Sequence, residues 1–286
     1  MLRPAKQLLW MIHTRNSFAS KAKRVFIFEM EDEMMSMIYP VIPGAEAFSL
    51  GRGSVGILLC HGFNATPQSV RAVGEQFAAH GFSVYAPRLH GHGTDLREFE
   101  ATTADDWKQS VRDGFEQLAG RCESVFIVGQ SMGATLALSL AAEGLPVAGI
   151  ITINAALSVP AYEALSFTDC PVYLPESAPD IKQSAFEIIY DFVPAVCASE
   201  LLRLIKETRS ALAAIQIPTL ILYSAEDHVV PPVCSDYLYR TIGAADKRSY
   251  CLLDSYHVAT LDHDQKTIVR ETLQFVEQFS RLTQTG

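Results

Sequence analysis

The chain has 286 residues, is 49% apolar and 19% charged, and carries a net charge of −9. That describes an ordinary globular protein with enough length for one large core or two modest domains. The acidic balance argues against nucleic acid or an anionic membrane surface as a partner, and no apolar run approaches the length of a membrane span. Six cysteines, at 60, 122, 170, 197, 234 and 251, include no CxxC pair. This spacing suits reduced, mostly buried thiols in a cytoplasmic protein better than a disulfide framework or a zinc site.

In chain order, the first feature is a basic leader. Residues 1–28 hold Arg3, Lys6, Arg15, Lys21, Lys23 and Arg24, with no acid before Glu29. The apolar stretch Leu8-Leu9-Trp10-Met11-Ile12 is too short for a secretory signal, and later starts are open at Met30, Met34, Met35 and Met37. We read residues 1–45 as an extension upstream of the fold, weakly ordered or disordered. From residue 46 strands and helices alternate: strand 55–60, helix 66–80, strand 82–89, helix 103–118, strand 124–128, a helix after Ser131 and strand 147–153. Residues 154–217 interrupt this rhythm with five prolines and apolar segments such as Phe186–Phe192, which we read as helical. Strand 218–223, helix 232–242, strand 248–253 and a closing helix over 263–282 complete the chain. Repeated βα units predict an α/β fold, a mostly parallel sheet covered by helices on both faces, with residues 154–217 as a helical cap.

The chemistry centres on Gly129-Gln-Ser131-Met-Gly133, which stands between a β-branched strand and an alanine- and leucine-rich helix. Strand, G-x-S-x-G, helix is a nucleophile elbow, a sharp turn that exposes the serine hydroxyl above the sheet. A serine needs a base, and the base an orienting acid, following in the order Ser, acid, His on loops after strands. Asp227 follows strand 218–223 and is preferred over its neighbour Glu226; His257 follows the last strand, whereas His263 reads as a surface residue. The loop after the first long strand, Cys60-His61-Gly62-Phe63, is placed to supply one oxyanion amide from Phe63, the other coming from Met132. His61 reads as a brace for that loop. Three motifs compete with this reading and are set aside. Gly51-Arg-Gly-Ser-Val-Gly56 precedes a strand and opens no helix, so a hairpin turn fits better than a dinucleotide site. His90-Gly-His92-Gly93 lacks a third metal ligand. Cys60, inside a strand, reads as buried and unreactive.

Taken together, His61-Gly62-Phe63, Gly91-His92-Gly93, Asp105-Asp106-Trp107, Gly129–Gly133, Asp227 and His257-Val-Ala-Thr-Leu-Asp262 resemble the α/β-hydrolase superfamily, and within it bacterial carboxylesterases and monoacylglycerol-lipase-like esterases. The resemblance spans about residues 50–280. It implies an α/β-hydrolase fold and ester cleavage through an acyl-enzyme on Ser131, with Asp227 and His257 as partners and the Phe63 and Met132 amides as oxyanion hole. It implies a small-molecule ester as substrate, of short to medium acyl chain or a monoacylglycerol, and requires no metal or organic cofactor. Another acyl bond (thioester, amide or carbon–carbon) and a receptor that keeps the fold for ligand capture remain the alternatives. The cap is expected to set acyl length through residues such as Phe186, Ile189 and Phe192.

Overall fold

The computed structural model describes residues 39–282, so the basic leader and the candidate later starts lie outside the described residues. From Val41 on the chain forms one compact unit, the insertion included. Its elements are β1 (Phe48–Leu50), β2 (Val55–Cys60), α1 (Gln68–Ala79), β3 (Ser83–Ala86), α2 (Leu96–Glu100), α3 (Ala104–Ala119), β4 (Ser124–Gln130), α4 (Met132–Ala142) and β5 (Gly149–Ile153). The insertion follows with α5 (Pro160–Glu163), β6 (Tyr173–Pro175), β7 (Phe192–Pro194) and α6 (Ala195–Ala211). Then come β8 (Thr219–Ser224), α7 (Val233–Thr241), β9 (Lys247–Leu252) and α8 (Gln265–Leu282).

Seven strands form one sheet in the order β1-β3-β2-β4-β5-β8-β9, all parallel except the β1–β3 pair. Side chains alternate across it with the period of two that a strand imposes. Ile57 and Leu59 of β2 pack with Val73 and Phe77 of α1 and Phe275 and Val276 of α8. Leu58 and Cys60 face the other way, into a cluster with Trp107 of α3, Leu136 of α4, Leu204 of α6 and Leu238 of α7. Both faces are therefore covered, and the central strands read as continuous apolar runs for that reason. Helix α3 starts where Thr103 and Asp106 close a capping box, the Thr103 amide donating to Asp106 Oδ2 at 2.8 Å.

The strand order reverses between β2 and β4. Chain segments leave those two carboxyl ends in opposite directions, which opens a crevice there.

Three expectations are corrected. Residues 51–54 are not a hairpin turn, because β3 lies between β1 and β2 and pairs with both. Residues 186–191 are not helical, and Phe192 starts β7. The amides of Ile188 and Tyr190 donate instead to side chains of the body, Gln68 Oε1 and Asn64 Oδ1, both at 3.1 Å, which holds the segment extended. The insertion also carries an antiparallel strand pair, β6–β7, and a 17-residue helix, α6, that its proline-rich sequence obscures.

Candidate active site

Ser131 sits between the last residue of β4 and the first of α4, with φ 54° and ψ −117°. A non-glycine residue rarely adopts such a backbone, and here the flanks impose it. The Ser131 amide donates to the Ile153 carbonyl of the next strand at 2.9 Å, and its carbonyl accepts from the Ala134 amide at 3.0 Å. A Cβ at Gly129 would overlap the Ala134 amide, and one at Gly133 would overlap the Cys60 carbonyl. Both glycines are thus needed for strand, turn and helix to approach this closely.

Three residues expected to act together meet at this turn. Ser131 Oγ stands 2.9 Å from His257 Nε2, and His257 Nδ1 stands 2.8 Å from Asp227 Oδ2. The other Asp227 oxygen accepts from the amides of Val229 and Val230, at 2.9 and 2.7 Å. A carboxylate held this way accepts a proton-bearing Nδ1, which leaves Nε2 free to accept from the serine hydroxyl. Side chains of His257 and Asp227 are 9% and 2% exposed, so this row of bonds is shielded from competing water. Glu226 and His263 are exposed and stand outside it.

Gly62 lies beside the elbow, where a Cβ on it would be 3.4 Å from Ser131 Cβ. This places the 61–63 loop against the serine, and Phe63 lines the same cavity. Met132, the other residue expected to offer an amide, opens α4 directly after the serine. His61 is fully buried and braces the loop: its Nε2 accepts from the Leu89 amide at 3.2 Å, and its Nδ1 donates to the Gly62 carbonyl at 2.9 Å. Burial pushes its pKa down to about 4, so the ring is neutral. His90 and His92 are occupied structurally. His90 bonds Ser110 Oγ at 3.0 Å, while His92 bonds the His90 carbonyl at 3.0 Å and packs against Phe99 and Trp107. The Cys60 thiol is buried, which pushes its pKa up to about 12 and makes it a poor nucleophile.

A cavity of about 520 Å3 opens over Ser131 and His257. The insertion provides much of its wall, including Val159, Tyr162, Ile189 and Leu201. Of the three cap residues expected to line it, only Ile189 does; Phe186 is 75% and Phe192 46% exposed. The extended backbone explains the difference, since alternate residues face opposite sides where a helix would have grouped them.

Several residues at the site carry no obvious signal in the sequence. Glu187 lines the cavity, and burial raises its pKa to about 7, with the Glu176 charge adding to the rise and His257 opposing it. Asn154, in the left-handed region at φ 49°, accepts from the Ser224 amide and donates to the His257 carbonyl, both at 2.7 Å. It thereby ties the end of β5 to the end of β8, whose following loop carries Asp227, and to the loop that carries His257. Asp180, from the insertion, bonds the amides of His228 and His257. Asp262 receives the amides of Tyr256, Lys182 and Gln183. Asp262 ends the His257–Asp262 stretch that carries part of the family resemblance, its one signal in the sequence.

Comparisons with known proteins agree with this architecture. The chain is 43% identical over 244 residues to a thermostable monoacylglycerol lipase of Bacillus sp. (strain H-257), covering 84% of this chain and 98% of the relative. It is 26% identical to a carboxylesterase of Bacillus subtilis (strain 168), over 81% of this chain and 96% of the relative. Among solved structures, one of the metagenome-derived lipolytic enzymes LipS and LipT superposes with a TM-score of 0.80 at 39% identity, covering 83% of this chain and 99% of that one. A monoacylglycerol lipase of Paleococcus ferrophilus shares the fold at a TM-score of 0.68, with 17% identity over 80% of this chain and 97% of that one. The profile of the alpha/beta hydrolase family matches residues 57–271, from within β2 into α8, so that every strand of the sheet after β1, the elbow and all three bonded side chains fall within it or overlap it, and the chain belongs to that family.

Proposed function

We propose that this chain hydrolyses carboxylic esters through an acyl-enzyme on Ser131, with His257 as general base and acid and Asp227 as its orienting carboxylate. The unbroken row Asp227 Oδ2, His257 Nδ1, His257 Nε2, Ser131 Oγ at 2.8 and 2.9 Å carries the reading. His257 takes the serine proton as Ser131 Oγ attacks the ester carbonyl, and the imidazolium is stabilised by Asp227. The amides of Phe63 and Met132 receive the developing oxyanion, a role supported by the closeness of the 61–63 loop to Ser131. His257 then protonates the leaving alcohol, and water deacylates the enzyme by the same route.

The cavity supports a substrate with one apolar and one polar end. Val159, Tyr162, Ile189 and Leu201 offer apolar wall to an acyl chain. Glu187, half-protonated near neutrality and buried at the same cavity, suits a leaving alcohol that carries further hydroxyls. Monoacylglycerols of short to medium chain meet both demands, and one of the bacterial relatives is named a monoacylglycerol lipase. Six unpaired cysteines support a cytoplasmic setting, and among the described residues no helix is long and apolar enough to cross a membrane.

Turnover of p-nitrophenyl esters and of 1-monoacylglycerols tests the reading, with Ser131→Ala as the control. Wild-type turnover should fall by about 10⁴ or more in Ser131→Ala, and a fluorophosphonate should label only the wild type. Residual activity within tenfold of wild type would overturn the role of Ser131.

A further inference from the structure

The three side chains of the proposed row all come from the body, yet a single carboxylate of the insertion binds two of the loops that carry them. Asp180 Oδ2 accepts from the His228 amide at 3.1 Å and from the His257 amide at 3.2 Å. Its Oδ1 stands 2.8 Å from His228 Nδ1, and its backbone carbonyl accepts from the Val258 amide at 3.1 Å. His228 is the immediate neighbour of the acid, on the loop after β8; His257 is the base itself, on the loop after β9. One oxygen shared between these two amides therefore sets the distance between the loops at the point where the Asp227–His257 bond must form.

We propose that Asp180 is a positioning residue for ester hydrolysis, one that acts through His257 and through the Asp227 loop to hold the base in register with Ser131. The inference rests on the assignment of Ser131, His257 and Asp227 made above. A charged acceptor strengthens a hydrogen bond relative to a neutral one, and Asp180 is bonded to both loops at once, so this junction resists the small loop shifts that would lengthen the row. Reaction geometry is unforgiving on this scale: a displacement of about 1 Å can cost on the order of 100-fold in rate.

The junction is itself supported. Two residues on, the Lys182 amide donates to Asp262 Oδ2 at 2.7 Å and the Gln183 amide to Asp262 Oδ1 at 3.1 Å. Asp262 Oδ2 also accepts from the Tyr256 amide at 2.9 Å, next to the base. Further along the insertion, Gln68 and Asn64 hold residues 188 and 190. The irregular arm between residues 180 and 190 is thus bonded to the body at both ends. Its part nearest the base works as scaffold, and swinging that part outward would break the bonds that register His257.

The test uses p-nitrophenyl acetate, whose acyl group is too short to depend on the apolar wall, and compares wild type with Asp180→Asn and Asp180→Ala. The asparagine keeps the volume and one oxygen for the two amides while losing the charge. We expect kcat to fall by about 3- to 10-fold in Asp180→Asn and about 10- to 100-fold in Asp180→Ala, with KM within about twofold of wild type. The low-field proton resonance of the Asp227–His257 bond should shift or broaden in the same order. A folded Asp180→Ala whose kcat stays within twofold of wild type, or a loss carried wholly by KM, overturns the proposal. If Asp180→Ala does not fold, Asp180→Asn decides alone: an unchanged kcat overturns the proposal, and the stated loss supports it. Ser131→Ala, run alongside, separates the two claims, since an inert Ser131→Ala beside a fully active Asp180→Ala would leave the triad standing and remove only this role.

Discussion

Gly133 packs against the carbonyl of Cys60 so closely that no Cβ fits between them, and the carbonyl oxygen of His61 would stand 2.7 Å from such an atom. The contact joins the first turn of α4 to the end of β2, the two segments proposed to hold the oxyanion. Both obstacles are backbone, so neither can rotate away. We expect Gly133→Ala to displace the elbow, lowering kcat/KM by about 100-fold or more and destabilising the fold by several kcal/mol. Gly144→Ala is the informative contrast. That residue has φ +91° but nothing within 4 Å of a Cβ, so the change should cost about 1 kcal/mol of stability and leave turnover intact. Melting curves and p-nitrophenyl ester kinetics on the pair separate a close approach from a backbone preference.

Asp227→Asn should be far more damaging than Glu226→Gln. Asp227 uses one oxygen for His257 and the other for two amides, so an amide nitrogen has no comfortable place. If the nitrogen faces the loop, it opposes the Val229 and Val230 N–H groups. If it faces His257, Nδ1 must accept, the proton moves to Nε2, and the ring can no longer take the serine proton. We expect a loss of about 10⁴ in kcat for Asp227→Asn. The exposed Glu226→Gln should stay within threefold; the reverse ranking would move the acid by one residue.

Acid should destabilise the protein through His61. Its folded pKa is about 4, below the ordinary value of 6.5, so the folded state binds fewer protons than the unfolded chain between those values. The stabilisation is fully present above pH 6.5 and is lost as pH falls towards 4. Burial lowers the His92 pKa as well, so it acts in the same direction. Linkage assigns His61 about 2 kcal/mol of loss between pH 7 and pH 5. Urea titrations at the two pH values should show this difference, and His61→Gln should shrink it. An equal slope in that variant would place the acid sensitivity elsewhere.

How far the sequence could be read follows from where periodicity survives. Buried parallel strands such as β4 and β5 announce themselves as apolar runs, and the elbow has a five-residue pattern bound to its flanks. Asp227 and His257, which form a bonded row with Ser131, each follow a strand, and position on a loop after a strand is a local property that a sequence displays. The insertion was not legible. Residues 186–191 are apolar enough for a helix, but Asn64 and Gln68, some 120 residues earlier, capture their backbone amides. Asp180 had no pattern to betray it either, because its partners are backbone amides on two distant loops. Tertiary hydrogen bonds of this kind leave no period in the chain.

The same correction sharpens the expectation for chain length. Ile189 lines the cavity, whereas Phe186 points its ring at solvent with 75% exposure. Ile189→Ala should therefore move the ratio of kcat/KM between p-nitrophenyl decanoate and butyrate by about 10-fold, the scale of a few methylenes in an apolar pocket. Phe186→Ala should leave that ratio unchanged. Equal effects from the two would mean that the arm carrying both shifts as a unit when substrate binds.

Glu187 should govern the alcohol side of the ester. It is buried at the cavity with a pKa near 7, so a hydroxyl placed against it can donate to the carboxylate or accept from the carboxylic acid. An ester whose alcohol carries no further hydroxyl leaves that group unanswered, and a buried polar group without a partner costs about 1–3 kcal/mol. Wild type should therefore favour 1-monoacylglycerols over ethyl esters of the same acid. In Glu187→Leu the preference should fall by about 10-fold or more, chiefly through loss of monoacylglycerol turnover, while p-nitrophenyl ester hydrolysis persists because Ser131, His257 and Asp227 are untouched. Glu187→Gln, which keeps both donor and acceptor, should retain more of the preference than Glu187→Leu. If the ratio of monoacylglycerol to ethyl ester kcat/KM is the same in all three proteins, Glu187 does not contact the leaving alcohol, and its carboxyl must then answer to His257 and Glu176 alone.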